Sequence, residues 1–294
     1  MQKLYIDGMQ GIGDNIFQRA FIKRLCQTRE IYLKTSIPEF YSDLPNVNFI
    51  RSDTTLRTQR KNEQSSTIRY VQLPPVQMES RRIFYGNADL MRPGGIFSAA
   101  RRVFGCEPDG FDLPKFALPD IGLPKGRKIA LIRPTTERSE WHHKSRGPLN
   151  KNIDAAAKLL HRRGYFCVSV ADTVPGAEWI PDLEPYADLK LHNGELKITE
   201  LMALVNHADI VVTGPCLISQ AALAYRTKMI FIGGGCGGSN HHSRITDASI
   251  MDLSQCLFVY PDNYCMCQEM KHNCDKRISN LTEKITGWLN EKNL

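Results

Sequence analysis

A glycine-rich turn near the start of the chain, residues 11 to 15, constrains the fold more than any other segment. It has the sequence Gly-Ile-Gly-Asp-Asn, follows a short apolar run at residues 3 to 6, and precedes a helical pattern that extends to Leu25. A strand, a glycine turn and a helix in this order form half of an α/β unit, and glycine lets the backbone lie close to a ligand. The pattern therefore predicts an α/β domain at the start of the chain.

Asp14 distinguishes this turn from a phosphate-binding loop. A carboxylate at a helix N-terminus is stabilising, so one interpretation is that Asp14 caps the helix. A phosphate loop would not place a carboxylate against its own ligand, so the alternative is that Asp14 accepts a proton from a neutral hydroxyl. On this second interpretation, Gly11, Gly13 and Asn15 line the site for the molecule that carries the hydroxyl.

Strand and helix patterns alternate along the rest of the chain, which indicates parallel sheets covered by helices. A length of 294 residues favours two domains, and closely spaced prolines and glycines in residues 112 to 128 mark a linker. We therefore predict an α/β fold of two Rossmann-like domains facing across a cleft. Their predicted bounds are residues 1–120, and residues 121–294 with a C-terminal helix. Residues 54 to 67 are polar without apolar periodicity and are predicted to form a mobile loop.

Composition and charge indicate the cellular compartment of the protein and the kind of partner that it binds. No apolar run approaches the roughly 20 residues that cross a bilayer, and the N-terminus lacks a signal-peptide layout, so the sequence predicts a cytoplasmic protein. The net charge is +7, and residues 51 to 102 carry ten Lys or Arg against four Asp or Glu. This segment is either a solvated surface or a face for a polyanion such as phosphorylated glycolipid or nucleic acid. Arg81 and Arg82 within it are candidate contacts to such an acceptor.

The second half of the chain offers cations at the end of its first strand. Ligands of parallel sheets bind beyond the carboxyl ends of the strands. The loop that follows Ile132 carries Arg133, Arg138, Lys144 and Arg146 together with four hydroxyl side chains. Cations and small donors suit a diphosphate, although a solvated basic loop is the alternative interpretation.

Two further turns follow later strands. After Val212 the chain has Gly214, Pro215 and Cys216 and then a helix of small residues that includes Ser219 and Gln220. The amides at a helix N-terminus favour a phosphate. Another turn begins with Gly233 and Gly234, and its glycines let the backbone approach a ligand. The adjacent His241 and His242 are interpreted as a solvent-exposed pair and not as metal ligands.

Nine cysteines are present, an odd number that together with a reducing compartment argues against a disulfide framework. Five of them are scattered in apolar or glycine-rich contexts and are interpreted as small buried side chains. The other four, Cys256, Cys265, Cys267 and Cys274, lie close together in the sequence with His272 beside them. Three thiols, those of Cys265, Cys267 and Cys274, and an imidazole can bind zinc tetrahedrally. Their spacing is not a strong zinc pattern, so packed free thiols are favoured, no metal is assigned, and a structural zinc at these three residues is the alternative.

Three segments together resemble a known family. They are the Gly-Ile-Gly-Asp-Asn turn, the helix and strand of residues 198 to 212, and the cysteine-containing tail that ends Lys-His-Asn-Cys at residue 274. The chain resembles glycosyltransferase family nine, the heptosyltransferase-like enzymes that add sugars to the lipopolysaccharide core. The resemblance implies a GT-B fold, a nucleotide-sugar donor held by the C-terminal domain, inversion at the anomeric carbon, and no obligatory metal or cofactor. It implies that Asp14 is the general base and that Lys144 or Arg146 contacts the donor diphosphate.

The chain departs from the family pattern in the predicted donor loop. The family has Asp-Ser/Thr-Gly where this chain has Pro215, Cys216 and Leu217, and a histidine where this chain has Gln220. The donor nucleotide is therefore left open, and the sugar is a hexose, a heptose or a pentose.

The sequence thus predicts an inverting glycosyltransferase that moves a sugar from a nucleotide-sugar to a hydroxyl of an anionic acceptor, such as a lipopolysaccharide core-type glycan at the inner membrane surface. One alternative is a phage-type enzyme that modifies hydroxymethylated bases of DNA in the host cytoplasm. Another is a non-catalytic nucleotide- or nucleic-acid-binding protein of the same fold. A sugar epimerase built on two Rossmann-like domains is a further alternative.

Overall fold

A computed structural model describes residues 1–140, 146–235, 237–267 and 275–294. The chain divides into two compact units. Unit 1 comprises Met1–Lys115 and Ser243–Met251, and unit 2 comprises Phe116–His242 and Asp252–Leu294. The first boundary falls inside the segment predicted to be a linker. The return of a short segment to unit 1 is a feature that strand and helix patterns do not indicate.

Unit 1 is built on a four-stranded parallel sheet whose order is β3-β2-β1-β4. Its strands are β1 (Gln2–Asp7), β2 (Arg29–Lys34), β3 (Val47–Ile50) and β4 (Glu79–Arg82). Its helices are α1 (Ile12–Leu25), α2 (Arg57–Ser65), α3 (Asn87–Leu90) and α4 (Gly95–Phe104), with a 3-10 turn at Pro38–Tyr41.

The core of unit 1 lies where α1 packs against α4. The rings of Phe21 and Phe104 stack with their centroids 4.8 Å apart, and Phe17 meets Phe97 edge-on at 5.6 Å. These apolar side chains lie on the face of α1 that its 3.6-residue periodicity predicts. The aromatic contacts fix the axis of α1, and with it the position of the glycine turn at its start.

A buried arginine on α1 ties this helix to two distant segments. Arg19 is 1% exposed, and its guanidinium nitrogens Nη1 and Nη2 lie 2.7 and 2.8 Å from the two carboxylate oxygens of Asp43. Its Nε donates to Oδ1 of Asp112 at 3.1 Å. On the surface of the same helix, Lys23 Nζ reaches the other oxygen of Asp112 at 2.6 Å. A buried guanidinium requires hydrogen-bond acceptors for its N–H groups. The Arg19 side chain therefore fixes the segments that carry Asp43 and Asp112 against α1.

The segment Ser243–Met251 belongs to unit 1 through specific contacts. Asp247 Oδ2 accepts a hydrogen bond from Arg101 Nη2 at 2.8 Å, and Arg244 Nη1 donates to the carbonyl oxygen of Arg92 at 3.1 Å. Gly95 has a φ of +53°, and a side chain there would overlap the backbone of Arg244. Unit 1 therefore includes a binding position for a segment that lies more than a hundred residues further along the chain.

Unit 2 is built on a six-stranded parallel sheet whose order is β12-β11-β10-β5-β7-β9. A two-stranded antiparallel pair, β6 with β8, stands beside it. The strands are β5 (Ile129–Ile132), β6 (Glu137–Arg138), β7 (Phe166–Val170), β8 (Glu178–Trp179), β9 (Leu189–Leu191), β10 (Ile210–Thr213), β11 (Lys228–Ile232) and β12 (Cys256–Val259). The helices are α5 (Asn150–Arg162), α6 (Ile198–His207), α7 (Leu217–Tyr225) and α9 (Leu281–Glu291), and α8 (His242–Ile245) crosses the boundary between the units.

The central strands of unit 2 are buried throughout, as expected for a parallel sheet with both faces covered. Every residue of β5 and β10 is buried. The C-terminal helix α9 buries Ile285 and Leu289 in the same apolar cluster as Ile153 and Leu160 of α5. The sequence predicts a C-terminal helix, and the structure has one that packs its apolar residues into this cluster. Among the helices of the described ranges, none has the combination of length and apolar character required to cross a bilayer.

The α/β class with parallel sheets is confirmed, but one local prediction is wrong. The expected mobile loop at residues 54 to 67 contains helix α2. This helix has no apolar residue on its inner face, which is formed by Gln59, Asn62 and Glu63. Apolar periodicity does not detect such a helix, because polar contacts attach it to the unit.

Candidate functional site

The glycine turn connects β1 to α1 at the carboxyl edge of the sheet of unit 1. Because β1 and β4 are parallel neighbours, the residues that follow both strands meet at this edge. Asp14 lies in the first turn of α1, and Oη of Tyr85, a residue that follows β4, donates a hydrogen bond to its Oδ1 at 3.0 Å. Burial, and then the charge of Asp14, raise the pKa of the Tyr85 hydroxyl well above its ordinary value. The phenol therefore stays protonated at neutral pH and acts as the donor.

The side chain of Asn15 fixes the backbone of the glycine turn through hydrogen bonds. Its side chain is fully buried, and Nδ2 donates to the carbonyl oxygens of Met9 at 3.0 Å and Gly11 at 2.8 Å. Its Oδ1 accepts hydrogen bonds from Gln18 Nε2 at 2.8 Å and Thr35 Oγ1 at 2.7 Å. The sequence indicated that Asn15 contacts an acceptor, whereas the structure places its amide inside the unit, where it fixes the backbone of the turn.

Gly11 provides space for the Asp14 carboxylate. Its φ of −60° and ψ of 135° are accessible to any residue, so backbone conformation does not require glycine here. A β-carbon at this position would overlap Oδ2 of Asp14. Gly13 is the second residue of α1. The glycine at position 11 is thus explained by the close approach of the carboxylate.

A methyl group at position 11 should displace the Asp14 carboxylate with little effect on stability. We expect Gly11→Ala to change the free energy of unfolding by less than about 1 kcal/mol, because the overlap is relieved by rotating one side chain. Any activity that uses Asp14 should fall at least about tenfold, since misplacing a reacting group is costly. Chemical denaturation and steady-state kinetics measure the two effects. Gly86→Ala is the matched control, because a β-carbon there meets no atom within 4 Å. Equal activity of the two variants would contradict this role for Gly11.

Helix α2 brings positive charge to the glycine turn. Gln59 Nε2 donates to the carbonyl oxygen of Gln10 at 3.3 Å, and Asn62 Nδ2 donates to that of Ser36 at 2.8 Å. These bonds attach the inner face of α2 to the carboxyl edge of the sheet. The outer face exposes Arg60 and Lys61. The basic segment noted in the sequence is therefore located, in part, directly beside the turn that carries Asp14.

The two candidate acceptor residues on β4 differ in their surroundings. Arg81 Nε donates to Oε1 of Glu79 at 2.7 Å, and its Nη1 donates to the carbonyl oxygen of Phe104. The Arg82 side chain is 82% exposed and lies 3.9 Å from a carboxylate oxygen of Asp7. Arg82 thus presents its charge to solvent at this edge, while the Arg81 guanidinium is engaged within the unit.

In unit 2 the first candidate cation is engaged by a buried carboxylate. The side chain of Glu178 is completely buried, and its oxygens lie 3.5 Å from Arg133 Nη2 and 2.8 Å from Arg138 Nε. Thr136 Oγ1 donates to the same carboxylate at 2.7 Å, and Arg133 Nη1 donates to the carbonyl oxygen of Val170 at 3.2 Å. This cluster fixes the start of the basic loop. Sequence reasoning missed Glu178, because it lies far along the chain and its register against Arg138 is set by the β6–β8 pairing.

The end of the basic loop is fixed by a second set of bonds. Thr135 Oγ1 donates to the carbonyl oxygen of Pro148 at 2.8 Å, and Asn150 Oδ1 accepts from the amide of Thr135 at 2.8 Å. Arg146 is half-buried between these anchors. Lys144, the other candidate for a diphosphate contact, lies outside the described residues. Its assignment stays a prediction.

At the N-terminus of α7, the Ser219 hydroxyl caps the first turn and the side-chain amide of Gln220 is buried. Ser219 Oγ donates to the carbonyl oxygen of Cys216 at 2.7 Å and lies 3.3 Å from the amide of the same residue, so the Ser219 hydroxyl is used within the helix. Gln220 is 6% exposed, and its Nε2 donates to Ser219 Oγ at 3.3 Å. Within the described ranges no protein donor reaches the buried Oε1 of Gln220. Among the described residues of this turn that are predicted to contact the nucleotide-sugar, Gln220 is the one whose side chain has a buried oxygen that accepts no hydrogen bond from the protein.

Two glycines at neighbouring strand ends are contacted by ring side chains. A β-carbon at Gly214, after β10, would lie 2.6 Å from Cδ of Pro148, and one at Gly233, after β11, would overlap the ring of Tyr260. Pro215 and Gly234 are buried beside them. These residues pack tightly at the carboxyl edge of the unit 2 sheet, which explains glycine at positions 214 and 233.

The prediction that His241 and His242 are solvent-exposed is wrong. The His241 ring stacks on Tyr260 with centroids 4.5 Å apart, and the His242 ring stacks on Phe258 at 4.1 Å. Nδ1 of His242 lies 2.9 Å from Tyr260 Oη. Burial, and secondarily the adjacent His241, lower the pKa of His242 to about 4. His242 is therefore neutral at physiological pH and acts as a flat packing surface.

The cysteine-rich segment runs beside the glycine turn that follows β11. Gly237 donates its amide to the carbonyl oxygen of Cys265 at 3.2 Å, and Gly238 to that of Cys267 at 2.9 Å. Cys274 lies outside the described residues. Within the described ranges, no group of three or more His, Cys, Asp or Glu side chains is placed to hold a metal ion. Zinc binding by these three cysteines therefore stays an untested alternative.

The fold of this chain is similar to the folds of several solved structures. No protein-family model and no curated protein sequence matches the chain. The dodecameric iron-containing glycosyltransferase TibC from enterotoxigenic E. coli H10407 is 15% identical, with 99% of this chain and 75% of that chain covered and a TM-score of 0.61. E. coli ADP-heptose lps heptosyltransferase II is 11% identical, with 100% of both chains covered and a TM-score of 0.60. A glycosyl transferase of family 9 from Veillonella parvula DSM 2008 is 9% identical, with 99% and 98% covered and a TM-score of 0.60. These likenesses confirm the predicted α/β fold of the GT-B type.

Proposed function

We propose that this chain is an inverting glycosyltransferase that transfers a sugar from a nucleotide-sugar to a hydroxyl of an anionic acceptor. The observation that carries the proposal is the Asp14 carboxylate, which is held beside the glycine turn by Tyr85 in a chain whose fold is similar along its full length to those of heptosyltransferases. A carboxylate so placed at the carboxyl edge of a parallel sheet is suited to accept a proton from a bound hydroxyl.

The proposed reaction is a single displacement. Asp14 takes the proton of the acceptor hydroxyl while the hydroxyl oxygen attacks the anomeric carbon from the face opposite the nucleotide. A new carbon–oxygen bond forms, the bond from the anomeric carbon to the diphosphate breaks, and the electron pair leaves with the nucleoside diphosphate. Attack from the opposite face inverts the anomeric configuration.

Unit 2 is proposed to bind the donor at the carboxyl ends of β5 and β10. The amides at the N-terminus of α7, together with Arg146 or Lys144, stabilise the negative charge that develops on the departing diphosphate. The buried Oε1 of Gln220 lacks a protein donor in the described residues, so it is suited to accept a hydrogen bond from a hydroxyl of the donor. Arg133 and Glu178 contribute indirectly, because they fix the basic loop.

Unit 1 is proposed to bind the acceptor through its positive charge. Arg60 and Lys61 on the outer face of α2 and the exposed Arg82 lie at the edge that carries Asp14. An anionic glycan such as a phosphorylated lipopolysaccharide core suits this surface. Hydroxymethylated DNA carries the same kind of charge, but the solved structures named above give that alternative no support.

A ligand screen followed by a transfer assay tests the proposal. UDP-, GDP-, ADP- and CMP-sugars are added in a thermal-shift experiment, and we expect one nucleotide class to stabilise the protein by about 2–3 kcal/mol at a hundredfold excess over Kd. ADP-heptose is the first compound to test, because TibC has been solved in complex with ADP-D-beta-D-heptose. The corresponding nucleoside monophosphate serves as the control for the diphosphate contact.

The transfer assay separates the alternatives. Mass spectrometry follows sugar addition to a phosphorylated core oligosaccharide and to a hydroxymethylated DNA duplex. We expect addition to the oligosaccharide. Addition to DNA alone would show that the acceptor is nucleic acid and not a glycan. Conversion of the nucleotide-sugar without any acceptor would indicate an epimerase. A protein that no nucleotide stabilises would contradict the proposed function.

A further inference from the structure

We infer that Tyr85 is a positioning residue that orients the Asp14 carboxylate and keeps it in the form that accepts a proton. The inference rests on the function proposed above, because it assigns Asp14 the role of base. It concerns a residue that no sequence motif marks, since Tyr85 lies seventy-one positions from Asp14 and enters the site only through the pairing of β1 with β4.

The backbone directs the Tyr85 side chain into the site. The amide of Ile83 donates to the carbonyl oxygen of Asp7 at 2.9 Å, so the β1–β4 pairing continues one residue beyond the end of β4. Along this extended segment Ile83 is 3% exposed, Phe84 is 67% exposed and Tyr85 is 6% exposed. Successive side chains of an extended chain point to opposite sides. Tyr85 therefore points inward at the level of the glycine turn, and Phe84 points to solvent.

The surroundings of the two Asp14 carboxylate oxygens differ. Tyr85 Oη donates to Oδ1 of Asp14 at 3.0 Å, and a β-carbon at position 11 would overlap Oδ2. The hydrogen bond therefore orients one oxygen, and glycine at position 11 leaves room for the other.

The direction of the hydrogen bond determines its chemical effect. Burial and the charge of Asp14 keep the phenol protonated, as described above, so Tyr85 donates to the carboxylate and does not accept from it. A donated hydrogen bond stabilises the ionised form of a carboxylate more than its neutral form. Tyr85 thus keeps Asp14 ionised at lower pH than it would otherwise be. It also positions the base without contacting the reacting atoms.

Removing the phenol hydroxyl should change the pH dependence of transfer. In Tyr85→Phe we expect the acid limb of the kcat/KM profile to move to higher pH by about one to two units, the range set by a hydrogen bond to a charged group. At neutral pH kcat should fall about tenfold, because the carboxylate is no longer fixed. The Kd of the nucleotide-sugar should not change, since Tyr85 belongs to unit 1 and the donor is assigned to unit 2. A residue that only supports the fold would not move the acid limb.

Tyr32→Phe is the matched control. Tyr32 lies on β2 of the same sheet, is 7% exposed, and donates through Oη to Oε1 of Glu30 at 2.8 Å. Its replacement removes a tyrosine–carboxylate hydrogen bond that does not involve Asp14. We expect this variant to keep the acid limb and the kcat of the parent protein.

A direct titration tests the inference without any substrate. Carbon-13 NMR of the aspartate carboxyl groups, with Asp14→Asn used to assign the signal, gives the titration midpoint of Asp14. The midpoint should rise in Tyr85→Phe and stay constant in Tyr32→Phe. If the parent protein transfers no sugar but the midpoint rises as expected, the proposed function is wrong and the Tyr85–Asp14 coupling stands. If the parent protein is active and neither the midpoint nor the acid limb moves, the inference about Tyr85 is overturned.

Fluorotyrosine incorporation keeps the test decisive should Tyr85→Phe fail to fold. Fluorination makes the phenol a stronger hydrogen-bond donor without changing the shape of the ring. We expect the titration midpoint of Asp14 to move to lower pH in the fluorotyrosine protein, opposite to the shift in Tyr85→Phe. Fluorotyrosine is therefore incorporated at position 85 alone, which separates the contribution of this tyrosine from those of the others, and the same replacement at position 32 alone is the control. A midpoint that does not respond to fluorination at position 85 would overturn the inference.

Discussion

Replacing Asp14 with asparagine should lower the kcat of sugar transfer by about 10²–10⁴-fold, the range that general base catalysis contributes. Asparagine has the shape of aspartate and its Oδ1 still accepts the hydrogen bond from Tyr85, but it does not take a proton at neutral pH. The donor is assigned to the other unit, so its binding should be unchanged. Steady-state kinetics with a saturating donor measures kcat, and isothermal titration calorimetry measures the Kd of the nucleotide-sugar.

The same substitution separates catalysis from helix capping. If Asp14 served only the N-terminus of α1, its replacement would change stability by about 1 kcal/mol or less and leave transfer intact. Asp89→Asn is the matched control, because Asp89 Oδ2 accepts a hydrogen bond from the amide of Gly86 at the start of α3 in the same unit. We expect that variant to transfer sugar at the parent rate. Equal activity of Asp14→Asn and Asp89→Asn would support the alternative of a non-catalytic binding protein.

Replacing Arg19 with methionine should destabilise unit 1 by about 3 kcal/mol, near the lower end of the range for breaking a buried ion pair. The lower end applies because Asp43 and Asp112 are 46% and 44% exposed and are rehydrated when the guanidinium is removed. Methionine fills much of the volume of the arginine stem, so the loss is chiefly electrostatic. Arg19→Lys should not restore stability, because an ammonium group does not reproduce the two parallel bonds to Asp43.

Lys23→Met is the control for this prediction. Lys23 lies one turn further along α1, is 30% exposed and pairs with the same Asp112, and a surface ion pair of this kind contributes at most about 1 kcal/mol. All three tryptophans of the chain lie in the sequence ranges of unit 2, so tryptophan fluorescence does not report on unit 1. Hydrogen exchange of α1 peptides in increasing urea measures the stability of unit 1 directly. Similar losses in the two variants would show that burial of Arg19 is not the source of its effect.

The elements that sequence predicted well are those whose pattern is local. The apolar runs within residues 128 to 132 and 210 to 212 predict buried strands, and every residue of β5 and β10 is buried in the structure. Helix α4 ends at Phe104 before Gly105, whose φ is +64°, a common signal for a helix end. The glycine turn likewise combines a strand, a flexible connection and a helix within twenty-five residues, and its position at the sheet edge follows from that order.

What the sequence did not predict depends on contacts between distant residues. Helix α2 attaches through Gln59, Asn62 and Glu63, and polar side chains give no periodic signal of burial. Glu178 meets Arg133 only after β6 pairs with β8, and Tyr85 meets Asp14 only after β4 joins β1. Sequence patterns identified the cations and the carboxylate of the candidate site. They did not identify the residues that hold those groups in place.

The assignment of Ser243–Met251 to unit 1 has a consequence for the order in which the protein forms on the ribosome. Strands β1 to β4 are synthesised first, but the segment that contacts Arg92, Gly95 and Arg101 emerges only after β5 to β11 of unit 2 have been made. Residues 116 to 242 must therefore be synthesised before the last contacts of unit 1 can form. A fragment that ends at residue 115 or 120 lacks this segment, and a stable N-terminal domain for separate expression would have residues 243 to 251 joined to it by a linker.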